Sequence, residues 1–126
     1  MILVTGIAGY IGSHTAVALL QSGREIVGMD NFYNSSPSAL DAIKELTGKD
    51  FAFYNADLKD KESMRKIFTE NSIDAVIHFA GLKAVGESVE KPLMYYNNNI
   101  SGTVNLLELM EEYGTKRIVF SSSATV

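Results

Sequence analysis

Three glycines at three-residue spacing, Gly6, Gly9 and Gly12, stand between an apolar tripeptide, Ile2-Leu3-Val4, and a segment of helical periodicity. Residues of this type at this spacing suit a phosphate cradle. Gly6 permits a tight turn, Gly9 lets backbone approach a pyrophosphate with no side chain in the way, and Gly12 allows a helix and a strand to pack closely. A helix opening at that point offers unpaired N–H groups and partial positive charge to the phosphates. Asp30 follows 24 residues after Gly6, at the end of the next apolar run. A carboxylate there can accept hydrogen bonds from both hydroxyls of an adenosine ribose. It also repels a 2′-phosphate, by about 1 kcal/mol at ~4 Å in water and several times more in a partly desolvated site. The pattern points to a dinucleotide, and to NAD over NADP. A glycine triplet alone is equally a ligand-free turn; its place between strand and helix, with an acid at the right distance, favours the dinucleotide.

The elements that must hold these residues alternate along the chain. Ile2-Leu3-Val4 reads as a buried strand. Gly12, Ala16, Leu19 and Leu20 share a helical face, and Gly23 stops that helix. Ile26 to Met29 is a second strand ending at Asp30, and Gly28 within it reads as easing helix packing. The Asn34-Ser35-Ser36-Pro37-Ser38 cluster is a loop into a helix, with Pro37 in its first turn and Leu40, Ile43 and Leu46 at helical spacing. Phe51 to Tyr54 is a third strand. Asp60 is a fitting N-cap for a helix carrying Met64, Ile67 and Phe68 on one face. Ala75 to Phe79 is a fourth strand, followed by a long fourth helix with Ile100, Val104 and Leu107 inward; Ile118 to Phe120 is a fifth strand. Strands apolar on both faces and joined by helices imply a parallel sheet covered on both sides. Right-handed crossovers give a doubly wound α/β, Rossmann-like fold with strand order 3-2-1-4-5, ending before the sixth strand of a complete dinucleotide fold.

The 126 residues suffice for one domain, residues 1–126. At this length roughly two-thirds of the unfolded chain's surface can be hidden, so a core forms unaided. Net charge is −4, with no basic footprint for nucleic acid. Cysteine is absent, which excludes disulfides and thiolate chemistry and suits a reducing cytoplasm. The two histidines are far apart, and no metal site is expected; His14 reads as a surface residue and His78 as a hydrogen-bonded core group. No charged leader precedes an apolar run, and no apolar stretch approaches the ~20 residues of a membrane span. A cytoplasmic protein is expected.

Gly-x-x-Gly-x-x-Gly preceded by Thr5 resembles the extended short-chain dehydrogenase/reductase family. Within it the chain is similar to the UDP-glucose 4-epimerases. The similarity rests on Asp57-Leu58 after the third strand, the loop from His78 to Ser88, Tyr95-Tyr96-Asn97-Asn98-Asn99 with Gly102-Thr103, and Phe120 to Val126, and it runs from Met1 to Val126. The resemblance implies that Tyr10 and Ile11 present backbone amides to the pyrophosphate. It puts Asp30, Asn31, Asn34 and Ser35 around the adenosine ribose and phosphate, and Asp57 and Leu58 beside the adenine. Phe79, Ala80, Gly81 and Lys83 would line the middle of the cofactor, with Asn98 approaching from the long helix. Ser123 would be the catalytic serine, hydrogen-bonding the sugar oxygen being oxidised. In that family a tyrosinate takes the proton from the sugar 4-hydroxyl while hydride passes from C4 to NAD, and a lysine four residues on lowers the tyrosine pKa.

That pair is missing. The residues four after Tyr10, Tyr33, Tyr54, Tyr95, Tyr96 and Tyr113 are His14, Pro37, Leu58, Asn99, Ile100 and Arg117. The part that would bind a UDP-sugar is absent too. The polypeptide is therefore expected not to epimerise by itself, since a general base typically contributes ~10²–10⁴-fold. NAD is expected to bind weakly through its adenosine half, each lost ribose hydrogen bond costing roughly 0.5–1.5 kcal/mol. An apolar fifth strand at the sheet edge, or the long fourth helix, invites a homo-oligomer. Two alternatives stand beside this reading. One is a non-catalytic dinucleotide-binding module. The other is a different nucleotide-sugar epimerase or dehydratase of the same family, against which the loop from His78 to Ser88 argues.

Overall fold

A computed structural model describes residues 1–31, 37–79 and 92–120. The elements are β1 (Ile2–Thr5), α1 (Tyr10–Gln21), β2 (Ile26–Asp30), α2 (Ser38–Thr47), β3 (Ala52–Asn55), α3 (Lys61–Glu70), β4 (Ala75–His78), α4 (Pro92–Tyr113) and β5 (Arg117–Phe120). The strands form one parallel sheet in the order β3-β2-β1-β4-β5, as the alternation of elements predicts.

Side chains alternate across the strands, and this sheet has a core on each face. Leu3, Val27, Met29 and Val76 point to one side, where Met64, Ile67 and Phe68 of α3 and Leu106, Leu109 and Met110 of α4 cover them. Val4 and Ile26 point to the other, beneath Ala16 and Leu20 of α1 and Ile43 of α2. The chain winds outward from β1 in one direction and from β4 in the other, so the switch point lies between β1 and β4. Their register sets Thr5 opposite His78, and that of β2 with β3 sets Asp30 opposite Asn55. Every strand thus delivers its last residue to the same edge.

Local chemistry bounds the helices, at Gly23 and Asp60 as the sequence suggests. Gly23, at φ 86°, turns the chain after α1, and Gly48, at φ 64°, does so after α2. Asp60 caps α3: its carboxylate accepts from the Ser63 N–H at 3.3 Å and from the Ser63 hydroxyl at 2.7 Å. Both bonds favour the ionised form and hold the Asp60 carboxyl below its ordinary pKa. Among the described residues no helix is long and apolar enough to cross a membrane.

Three expectations are corrected. The inward face of α4 is not that of Val104 and Leu107, which are 48% and 42% exposed; Ile100's side chain lies outside the described residues. Leu106, Leu109 and Met110 are buried instead, and Gly102 lies against Leu58. This helix carries two overlapping apolar stripes, and periodicity cannot choose between them. Leu46 is 69% exposed although in phase with Ile43, because α2 packs mainly on α1 and one line of residues makes the contact. Pro37 is the N-cap of α2 and not a residue of its first turn. Gly28 does relieve crowding, though its neighbour is a loop residue: a Cβ there would lie 2.5 Å from Ile7 Cδ1.

Candidate functional site

The glycine turn sits at the carboxyl edge of the sheet, where doubly wound folds bind ligands. Gly6 has φ 70°, a left-handed conformation that favours glycine. The turn is tied to the tip of β2 by three amides. The Gly6 and Ile7 N–H groups donate to the Met29 carbonyl at 2.8 and 3.3 Å, and the Ala8 N–H donates to Asp30 Oδ2 at 3.0 Å. Asp30 is only 7% exposed. A carboxylate has about four lone-pair sites, and the Ala8 amide takes one of them.

Gly9 and Gly12 differ in what they leave room for. At Gly12 a Cβ would lie 2.2 Å from the Gly6 carbonyl oxygen, so the helix can rest on the turn only with glycine there. At Gly9 the closest atom would be the Gly6 oxygen at 3.3 Å, which a shift of a few tenths of an ångström relieves. Gly9 also has an ordinary φ of −75° and caps α1 with no side-chain hydrogen bond. Among the described residues, neither its conformation nor the surrounding packing strictly demands glycine. Bare backbone there leaves room for close approach over the exposed Tyr10 and Ile11 at the start of α1.

Beside this turn, Asn31 Nδ2 donates to Asp57 Oδ2 at 3.2 Å, and the Lys59 N–H donates to Asp57 Oδ1 at 2.9 Å. Leu58 is buried. Its carbonyl accepts a 2.9 Å hydrogen bond from Asn105 Nδ2 of α4. On the far side of the turn, Thr5 Oγ1 and His78 Nδ1 lie 2.8 Å apart, both residues buried. The Phe79 N–H donates to the same hydroxyl oxygen at 3.0 Å.

Gly6, Gly9, Tyr10, Ile11, Gly12, Asp30, Asn31, Asp57, Leu58 and Phe79 therefore stand on consecutive segments along one edge of the sheet. Asn98 falls on α4, and its side chain lies outside the described residues. Asn34, Ser35, Ala80, Gly81, Lys83 and Ser123 lie outside them as well. His14 is an exposed residue whose ring is tilted against that of Tyr10, with ring centroids 4.6 Å apart. Among the described residues no group of three or more histidine, aspartate or glutamate side chains could hold a metal ion. Thr5, Gly102 and Asn105 were not singled out by residue type. Thr5 immediately before the first glycine and Gly102 in the Gly102-Thr103 match were the sequence signals; Asn105 had none.

Residues 3–126 match the family model described as GDP-mannose 4,6 dehydratase. A UDP-glucose 4-epimerase of Bacillus subtilis is 67% identical over 125 residues, covering 99% of this chain and 37% of that protein. UDP-glucose 4-epimerase 2 of Arabidopsis thaliana is 60% identical over 128 residues, with the same two shares. Among solved structures, the Bifidobacterium longum UDP-glucose 4-epimerase in complex with NAD+ and UDP superposes with a TM-score of 0.95. It is 52% identical over 99% of this chain and 37% of its own. The chain thus spans about 37% of the length of the curated relatives it matches.

Proposed function

The chain belongs to the family described as GDP-mannose 4,6 dehydratase, and from that membership we propose that it is the NAD-binding part of a UDP-glucose 4-epimerase. Such an enzyme interconverts UDP-glucose and UDP-galactose by transient oxidation at sugar C4. The family description covers dehydratases, but relatives of 56–67% identity bear the epimerase name, which supports the narrower reading. The observation that carries the proposal is the buried Asp30 carboxylate bonded to the Ala8 amide of the glycine turn. That bond ties the carboxylate read as a ribose clamp to the turn read as a phosphate cradle, which supports the proposal. Gly9 fits the same ligand, since close approach is what its missing side chain provides.

In this reading Asp30, Asn31, Asn34 and Ser35 hold the adenosine ribose and its phosphate. Tyr10 and Ile11 give amides to the pyrophosphate, and Asp57 and Leu58 hold the adenine. Phe79, Ala80, Gly81, Lys83 and Asn98 line the middle of the cofactor, and Ser123 meets the sugar oxygen. Bound NAD would supply the hydride acceptor. These 126 residues contain no Tyr-x-x-x-Lys to take the sugar proton, so by themselves they bind NAD and do not epimerise. The UDP-sugar is bound only together with the rest of the parent's length. Absence of cysteine suits the cytoplasm. Self-association through β5, whose Val119 is 60% exposed, or through Val104 and Leu107 of α4 belongs to the same reading.

Calorimetric titration with NAD and NADP, beside an epimerase assay of the pure chain, tests the proposal. The expected result is NAD binding, weaker NADP binding and no turnover. Equal affinity for both dinucleotides, or none for NAD, would overturn the site assignment, and turnover would overturn the claim of incompetence. The second reading, a non-catalytic dinucleotide-binding module, is favoured for these residues alone by the missing tyrosine and lysine.

A further inference from the structure

Asp57 and Leu58 leave the carboxyl edge of the sheet directly after β3, beside Asp30. Two separate elements fix where they lie. Directly after β2, Asn31 holds the Asp57 carboxylate. From α4, Asn105 holds the Leu58 carbonyl, and Gly102 admits the Leu58 side chain so closely that a Cβ would fall 2.6 Å from Leu58 Cβ. Residues 102 and 105 are three apart and share a helix face. A close approach and a hydrogen bond thus seat one face of α4 on one residue. We infer that Gly102 and Asn105 are positioning residues for the adenine end of the dinucleotide, setting its base selectivity by fixing the Asp57-Leu58 segment.

This rests on the adenine-side assignment made above. A carboxylate held at Asp57 accepts from the adenine amino group. The same carboxylate faces the O6 carbonyl of hypoxanthine acceptor to acceptor, which is unfavourable. Selectivity therefore depends on where Asp57 is held, and the Leu58 peptide, pinned by α4, is the next link in the chain. A helix that merely contributed stability would leave the preference between the two bases unchanged.

The experiment measures Kd for NAD and for nicotinamide hypoxanthine dinucleotide on the full chain and three variants. Wild type is expected to favour NAD by about tenfold or more. Asn105→Leu removes the donor at similar size, and Gly102→Ala pushes α4 off Leu58. Each is expected to reduce the preference to less than about threefold. Asn105→Gln, which keeps an amide donor, is expected to retain most of it. Gly102→Ala leaves Asn105 in place, so it carries the test if Asn105→Leu folds poorly. An unchanged preference in both Asn105→Leu and Gly102→Ala would overturn the inference while leaving NAD binding intact. Failure of wild type to bind NAD would instead sink the proposed function.

Discussion

Replacing Gly12 with alanine asks how closely α1 must approach the glycine turn. An ideal Cβ at Gly12 lies 2.2 Å from the Gly6 oxygen, 3.0 Å from its carbonyl carbon and 3.2 Å from Ile7 Cα, all backbone atoms. Ordinary contact begins at 3.4 Å, so the first turn of α1 must retreat by roughly 1 Å or the rigid turn must deform. Overpacking of this kind costs ~1–3 kcal/mol. Alanine's better helix propensity offsets about 1 kcal/mol of that. The expected net loss is ~0–2 kcal/mol, read as a lower urea midpoint at unchanged slope. The same retreat draws the Tyr10 and Ile11 amides away from the phosphates. Hydrogen bonds to charged groups are worth ~1.5–3 kcal/mol, so losing one weakens NAD binding roughly 10- to 150-fold by calorimetry. Gly23→Ala is the control. Its φ is +86° with nothing within 4 Å of the added Cβ, so it strains backbone alone, far from the site. It should cost ~1–2 kcal/mol in stability and nothing in affinity. A G12A chain with the wild-type midpoint and wild-type NAD affinity would refute the packing argument.

Asp30→Ala should weaken NAD roughly 10- to 100-fold while narrowing the gap to NADP, and lower stability because the Ala8 amide loses its acceptor; parallel titrations with both dinucleotides check it. Thr5→Val removes the hydroxyl that serves both His78 and Phe79 and should cost ~1–3 kcal/mol in urea unfolding. On α4, Leu106→Ala should cost ~2–5 kcal/mol, whereas Val104→Ala should stay within about 0.5 kcal/mol; the reverse order would mean the helix is rotated. Asp60's folded pKa lies below 3.8 because Ser63 stabilises its anion. Its contribution is whole above that value and is lost as pH falls through the lower folded pKa. Asp60→Ala should therefore destabilise the chain at neutral pH by an amount that shrinks well below pH 3.8, and a gap independent of pH would count against the cap.

Much of the fold was legible in the residues. Short apolar runs, the Gly23 stop after α1 and the Asp60 cap act within one turn of chain, and with right-handed crossovers they predicted five strands in the observed order. The glycine turn was legible for the same reason, since conformational freedom at Gly6 and crowding at Gly12 are local demands. Asp30 could be placed at the strand tip by spacing alone. Spacing gave no sign that its carboxylate also braces the turn through Ala8, because that bond exists only once β2 lies beside β1. Thr5 and His78 are 73 residues apart and meet only when β4 pairs with β1. The rotation of α4 was decided last: its sequence offers two apolar faces of similar strength. The contact that selects one of them, Gly102 on Leu58 with Asn105 bonded to the same residue, forms only when the helix is laid on the sheet.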